Sequence, residues 1–311
     1  MQGIVTKSTG SWCTVRQEND IKTNCIVKGI LRISGIKSTN PVAVGDNVVF
    51  DILNDGTGLI SEILERKNYI IRKATKLSKR SHIIAANIDR AFLMITLVQP
   101  PTTTLFIDRF LVTAEAYHIP VDIIINKIEI YTGDILSEMK KLTSIYEQIG
   151  FKCHKISALK DQNIGGLRDL FRDKINLLSG NSGVGKSTLI NTLDPNLNLK
   201  IGKISSYHKK GTHTTAFAEM LELHSGGYII DTPGIKSFGV IDIEKEELSH
   251  YFPEMRNLLH YCQYHNCCHI NEPNCAVIKA LEKGEIAKSR YRNYIDIYDS
   301  DDGEAYRQKG Y

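Results

Sequence analysis

The stretch Gly180-Asn181-Ser182-Gly183-Val184-Gly185-Lys186-Ser187 constrains this chain more than any other, because a glycine-rich loop of this spacing cradles phosphate oxygens. Its glycines let backbone N–H groups turn inward in conformations that a side chain blocks. Lys186 brings positive charge to the outer phosphates and Ser187 a hydroxyl for Mg²⁺. The helix that begins near Lys186 and runs through Thr188 points its positive end at the anion. The flanks agree, with strand-like Lys174 to Leu178 before the loop and helical Thr188 to Leu193 after it. Yet the loop lies past the middle of 311 residues, where such a loop usually opens its domain.

The residues before it hold the missing half of a nucleotide site. Asn126-Lys127-Ile128-Glu129 follows the apolar run Val121 to Ile125, and Ser157-Ala158 follows the strand-like Phe151 to Ile156. In GTP-binding proteins an Asn-Lys-x-Asp tetrad orders the loops with Asn, covers the base plane with the Lys stem, and accepts from the guanine N1–H and amine with the carboxylate. The Ser-Ala turn offers a backbone N–H to the guanine O6. Glu129 stands where Asp is usual, so its loop must retreat by about one methylene for both donors to be accepted. After the phosphate loop come Gly211-Thr212-His213-Thr214-Thr215, a switch segment with a Thr hydroxyl, Thr215, for Mg²⁺, and Asp231-Thr232-Pro233-Gly234. Asp231 would hold Mg²⁺ through water, and the Gly234 N–H would meet the γ-phosphate. An ordinary Ras-like GTPase runs from phosphate loop to switches to base readers. Rotating that order cyclically gives the order here, so the chain reads as a circularly permuted G domain.

The water-orienting Gln that Ras-like enzymes carry after DxxG is replaced by Ile235, whose side chain can neither donate nor accept a hydrogen bond. The nearest substitute is His213, since an imidazole can position or deprotonate a water. Lys186, Gly234 and His213 are therefore the catalytic candidates.

Around this domain the pattern changes twice. Residues 1–72 carry short β-prone runs, Trp12 to Val15, Asn24 to Val27 and Asn47 to Phe50, broken by Gly, Asn and Asp turns, and are expected to form an all-β barrel of the oligonucleotide-binding (OB) type. Ile71 to His82 has five formal positive charges and no acid, which fits either a solvated linker or a strip touching phosphates. Residues 73–240 alternate buried strands with amphipathic helices, as a largely parallel α/β sheet requires. Phe106, Phe110, Leu111, Ala114 and Tyr117 fall on one helical face, and Ile135 to Ile149 repeats the pattern. Residues 241–311 are Tyr-rich and mainly helical, with helices expected over Cys275 to Leu281 and Ile286 to Ile297.

Four of the seven cysteines crowd into that last segment. Cys262, Cys267, His269 and Cys275 have a C-x₄-C-x-H-x₅-C spacing that suits a closed structural Zn²⁺ site, with His265 and Cys268 as spare candidates and Cys268, adjacent to two ligands, expected to point away. Independent buried cysteines or a redox pair are the alternatives. The formal net charge of +4 is mild for this length, so nucleic-acid affinity must come from local patches. No apolar run is long enough to span a bilayer, which points to a cytoplasmic protein.

With these three parts in this order, the chain resembles the RsgA/YjeQ family of ribosome-associated GTPases over nearly its full length. The Gly-x-His-Thr-Thr switch at Gly211 to Thr215, the zinc spacing, Val44-Gly45-Asp46 and Arg66-Lys67-Asn68 carry the resemblance. Glu129 and Ala216 depart from it. The resemblance implies an OB-fold barrel, GTP and GDP with Mg²⁺ and one structural Zn²⁺ as bound groups, and hydrolysis stimulated by the small ribosomal subunit. It also implies a role in late maturation of that subunit, contact with its rRNA, and His213 as the catalytic group. Acting as a monomer is expected as well. Two other classes compete: a P-loop kinase, against which the base readers speak, and a nucleotide-gated RNA-binding module with little turnover.

Overall fold

The computed structural model describes residues 1–9, 12–29, 41–72, 82–199, 219–231 and 243–300. Five strands, β1 (Gln2–Ser8), β2 (Trp12–Arg16), β3 (Lys22–Val27), β4 (Asn47–Ile52) and β5 (Gly58–Ile63), lie in the order β1-β2-β3-β5-β4, and β4 returns to pair with β1. Among the described residues closure leaves these five strands no free edge, and alternation turns Val5, Cys13, Val15, Cys25, Val48, Phe50 and Ile60 into the interior. Next, β6 (Tyr69–Arg72) and β7 (His82–Ala86) pair antiparallel, with Arg72 opposite His82. The flanks of the basic run are thus hairpin stems, while residues 73–81 lie outside the described residues.

The central sheet has the order β10-β9-β8-β11-β13-β12. Strands β8 (Arg90–Ile95), β9 (Val121–Ile125), β10 (Lys152–Lys155), β11 (Ile175–Ser179) and β13 (Tyr228–Asp231) run parallel, and β12 (Glu219–Glu222) is antiparallel to β13. Both faces are covered, which is why these strands read as continuous apolar runs. Ala91, Leu93 and Ile95 join one core with helices α1 (Thr104–Ala116) and α2 (Gly133–Gln148). Phe92 and Met94 join the other with α3 (Gly165–Phe171) and α4 (Lys186–Leu193). The phosphate-loop strand β11 sits between the base-reader strands on one side and the switch strands β13 and β12 on the other. Chain order is rotated about that spatial order, as the motif order predicts.

The barrel continues the sheet, because Lys7 of β1 lies opposite Glu219 of β12. Lys7–Glu219 at 3.2 Å, Arg16–Glu222 at 2.8 Å and Lys22–Glu222 at 3.3 Å cross this seam. A second seam holds more buried polar groups. Arg66 donates to both carboxylate oxygens of the fully buried Asp46 at 2.6 and 2.7 Å, Asn68 exchanges 2.8 Å bonds with the Ile88 backbone, and Asn87 donates to Gly45 O at 2.9 Å.

At the C-terminal end, a 3₁₀ turn Lys245–Tyr251 leads to α5 (Pro253–Arg256), α6 (Ala276–Glu282) and α7 (Lys288–Asp299). Their core of Leu248, Phe252, Met255, Val277, Ile286 and Tyr294 takes in Val112 of α1. Beside it, buried Asp108 of α1 accepts from Arg290 at 2.6 Å, Asn293 at 2.5 Å and Tyr146 at 2.7 Å, and Arg290 also bonds Glu254 at 2.7 Å. Helix α1 therefore buries two faces, where its periodicity predicts one. The second, which carries Leu105, Asp108 and Val112, is covered by the C-terminal helices.

Candidate nucleotide-binding site and metal centre

The crevice lies at the C-terminal ends of β9, β10 and β11, the usual place for ligands on an open parallel sheet. Asn126, 2 % exposed, ties its loops together. Its Nδ2 donates to Val184 O in the phosphate loop at 2.8 Å, and its Oδ1 accepts from Ala158 N at 2.9 Å. The loop around Asn126 accordingly touches the two others that the sequence assigns to this site. Gly185, at φ +105°, makes this approach possible, because a Cβ there would stand 2.5 Å from Asn126 Nδ2. Gly180, at φ +146°, likewise has no room for a Cβ against Met94 O.

Val184 anchors the phosphate loop in the core between β8 and α4, while Ser182 and Gly183 stand exposed. Lys186 Nζ folds back onto Gly180 O at 2.6 Å and Asn181 O at 2.9 Å, within the loop it serves. Ser187 and Thr188 are half-buried at the start of α4. Lys127 has a left-handed backbone, φ +65°, and its Nζ donates to Gln99 O. Glu129 Oε2 is buried with no hydrogen-bond partner, a costly state for a carboxylate oxygen and a fitting one for a donor-bearing ligand. Ser157 is fully buried and its Oγ accepts from Lys160 N at 3.1 Å. The Ala158 N–H is committed to Asn126, so this turn orders the reader as well as facing the crevice.

Asp231 ends β13 in register with Leu178, beside the entry to the phosphate loop. His213, Thr215 and Gly234 lie outside the described residues. The motifs did not reveal Tyr131 or the loop Leu97 to Thr103. Tyr131 hydroxyl donates to Asn126 O at 2.7 Å and accepts from Leu97 N at 2.9 Å. The only local signal was Pro100-Pro101, which marks a constrained turn without saying what it touches.

The second site is the cysteine cluster. Cys262, Cys267, His269 and Cys275 place one ligand atom each within 4.8 Å of one another. His269 Nδ1 lies 3.6 Å from Cys262 Sγ and 3.3 Å from Cys275 Sγ, close to the ~3.5–3.8 Å edges of a tetrahedron built on ordinary Zn–S and Zn–N bonds. Three sulfurs and one imidazole fit a closed structural Zn²⁺ site. Cys268 Sγ instead points to Asn266 O at 3.7 Å, outside the cluster. Burial, reinforced by the Cys275 thiol, pushes the Cys267 thiol up to about 12, so thiolates here need a cation's charge. Glu272 braces the loop, accepting from the N–H groups of Cys268 at 2.6 Å, Ile270 at 2.8 Å and Asn271 at 3.1 Å. Tyr291 and Tyr294 hydroxyls hold the carbonyls of His269 and Cys268 at 2.7 and 2.6 Å.

Comparison with known proteins agrees with this geometry. Residues 63–241 match the family model RsgA GTPase and residues 2–60 the RsgA N-terminal domain. The "Small ribosomal subunit biogenesis GTPase RsgA" of Bacteroides fragilis (strain YCH46) is 50% identical over 307 residues, covering 99% of each chain. The protein of that name from Christiangramia forsetii is 52% identical over 305 residues, covering 97% of each. Among solved structures, YjeQ from Thermotoga maritima superposes with a TM-score of 0.78 at 34% identity, covering 96% of both chains. YloQ, described as a circularly permuted GTPase, superposes at 0.74 and 32% identity, covering 96% of this chain and 93% of its own. The two family models together span residues 2–60 and 63–241, the matches to relatives and solved structures run along nearly the whole length, and the chain belongs to the RsgA GTPase family.

Proposed function

We propose that this protein hydrolyses GTP to GDP and phosphate and acts in biogenesis of the small ribosomal subunit, with the subunit stimulating turnover. The observation that carries the reading is Asn126, whose amide joins base reader, Ser-Ala turn and phosphate loop into one crevice. In this reading Asn126 orders the loops, Lys127 covers the base, Glu129 accepts from the guanine donors, and Ser157 and Ala158 shape the rim. Gly180 to Thr188 wrap the phosphates through backbone N–H groups, and Lys186 leaves its carbonyl contacts for the outer phosphates. Ser187, Thr215 and Asp231 would hold Mg²⁺, which neutralises charge on the β- and γ-oxygens when bound. His213 positions the attacking water, and the Gly234 N–H meets the γ-phosphate.

The barrel supplies the rRNA-facing surface, supported by its closed five-stranded form. Among the described residues no helix is long and apolar enough to cross a membrane. We take the working form to be a cytoplasmic monomer.

Phosphate release from GTP and from ATP, each with and without purified small subunits, tests the proposal. GTP turnover should be slow alone, because Ile235 cannot orient a water, and should rise at least tenfold with subunits, while ATP stays near background. Equal turnover of ATP would overturn the guanine reading. No stimulation would leave a nucleotide-gated RNA-binding module as the better account.

A further inference from the structure

We propose that Tyr131 is a positioning residue for guanine recognition, holding the Asn126–Lys127 reader in place through its single hydroxyl. The inference rests on the guanine-binding reading above. Lys127 is the residue that needs holding, since a non-glycine side chain at φ +65° is strained and persists only where its surroundings over-determine it. On its N-terminal side, Asn126 N donates to Ile95 O at 2.9 Å and Asn126 O accepts from Tyr131 Oη at 2.7 Å. On its C-terminal side, Ile128 N donates to Ile156 O at 3.2 Å. The Asn126 amide and the Lys127 ammonium add bonds made by the reader's own side chains, whereas the Tyr131 bond brings to its backbone a side chain from outside the tetrad.

The same hydroxyl reaches a third element. It accepts from Leu97 N at 2.9 Å, at the start of the loop Leu97 to Thr103. That loop is knit to itself: Thr96 Oγ1 donates to Pro100 O at 2.6 Å, and Thr102 N donates to Thr96 O at 2.8 Å. It meets the site twice more, with Gln99 O receiving the Lys127 ammonium and Pro100 Cδ standing 3.4 Å from where a Gly183 Cβ would be. Tyr131 is thus where the reader and this loop are joined at one oxygen. Its ring packs in the core with Ile125 and Leu97, a task that phenylalanine would do as well. The hydroxyl is the part that packing does not explain.

Tyr131→Phe deletes that oxygen and leaves Asn126 O and Leu97 N without their partner. The test measures dissociation constants for GDP, IDP and ADP on wild type and variant, with thermal melting alongside. IDP lacks the exocyclic amine that a guanine-reading carboxylate accepts. GDP affinity should fall about tenfold, as expected for unpairing buried polar groups, the GDP-over-IDP preference should shrink, and ADP affinity should stay within twofold. A merely structural role would lower the melting temperature without changing the GDP-over-IDP ratio. Tyr131→Phe that keeps wild-type GDP affinity, or that loses GDP and ADP equally, overturns the inference. A wild type that fails to prefer GDP over ADP overturns the guanine reading itself. Thr96→Val, which loosens the same loop from its far side, should weaken GDP about threefold with the same selectivity. Should Tyr131→Phe not fold, an unchanged Thr96→Val overturns the inference instead.

Discussion

The metal cluster takes its four ligands from one short segment, Cys262 to Cys275, whereas the nucleotide crevice draws Asn126, Ala158 and Val184 from three loops at the ends of different strands. The first kind of site is local in the chain: Cys267 and Cys275 join the core of the C-terminal helices, Glu272, Tyr291 and Tyr294 brace the loop, and a bound ion would tie the four ligands together. The second kind is distributed, and its order comes from a sheet buried on both faces. One should therefore be lost by removing a ligand atom, and the other by disturbing how loops meet.

The largest effect expected is on the metal. Elemental analysis should find about one Zn²⁺ per chain, and Cys262→Ser or Cys275→Ser should lose it, with a stability loss that can reach the ~10 kcal/mol scale of structural zinc. Cys268→Ser should keep the metal, and Cys275→Ser should still bind GDP within a few-fold. Loss of GDP binding on metal removal would break the comparison, because it would make the crevice depend on the cluster.

Next in size is the junction between the two regions. Asp108 and Arg290 are both almost wholly buried; burial pushes the Asp108 carboxyl up, and the Arg290 guanidinium works against it. Arg290→Met should cost about 3–5 kcal/mol, read as a shifted denaturation midpoint, because it leaves a buried carboxylate without its counter-charge. Asp108→Leu combined with Arg290→Met should recover only part of that loss, since the pair is replaced by apolar packing while Glu254, Asn293 and Tyr146 stay without their partners. A simple sum of the two single losses would show that the residues act apart.

A smaller effect separates chemistry from binding within the crevice. His213→Ala should leave GDP affinity near wild type and lower subunit-stimulated turnover about 10²-fold, the ordinary size of a water-positioning or general-base contribution. Full stimulated turnover in that variant would place the catalytic group elsewhere.

The smallest concerns pH and sharpens the claim that the sheet itself carries the crevice. Desolvation pushes the buried Asp122 carboxyl on β9 up, but the His154 hydrogen bond at 2.7 Å and the Arg90 charge outweigh it and hold it below its ordinary 3.8. A depressed folded value contributes stability that is present above the unfolded value and lost as the pH falls through the folded one. Melting curves should thus show wild type and Asp122→Asn converging as the pH falls below about 4. A difference that widens in acid would reverse the sign of this assignment.

What could be read before folding follows the same division. The cysteine spacing and the exclusion of Cys268 were legible because four ligands within one segment leave little freedom in how they meet. The parallel strands were legible because burial on both faces writes continuous apolar runs, as in Ala91 to Ile95 and Val121 to Ile125. Tyr131 was not, since a tyrosine after a short polar turn reads the same whether its hydroxyl faces water or joins two loops. Nor was the burial of Val112 and Asp108, which lie across α1 from the face of Phe106, Phe110 and Ala114 and are covered by the C-terminal helices.

The amino-acid sequence alone determined the rotated order of nucleotide motifs, the barrel-sheet-helix succession and the metal cluster, because each is written in residue type and short-range spacing. Only the tertiary structure decided that β1 of the barrel extends the sheet at β12, that Asn126 spans three loops, and that Arg290 meets Asp108 across 182 residues of chain. Those contacts depend on how preformed surfaces dock. Docking is set by the shape and polarity of both partners together, and no local pattern in either one encodes it.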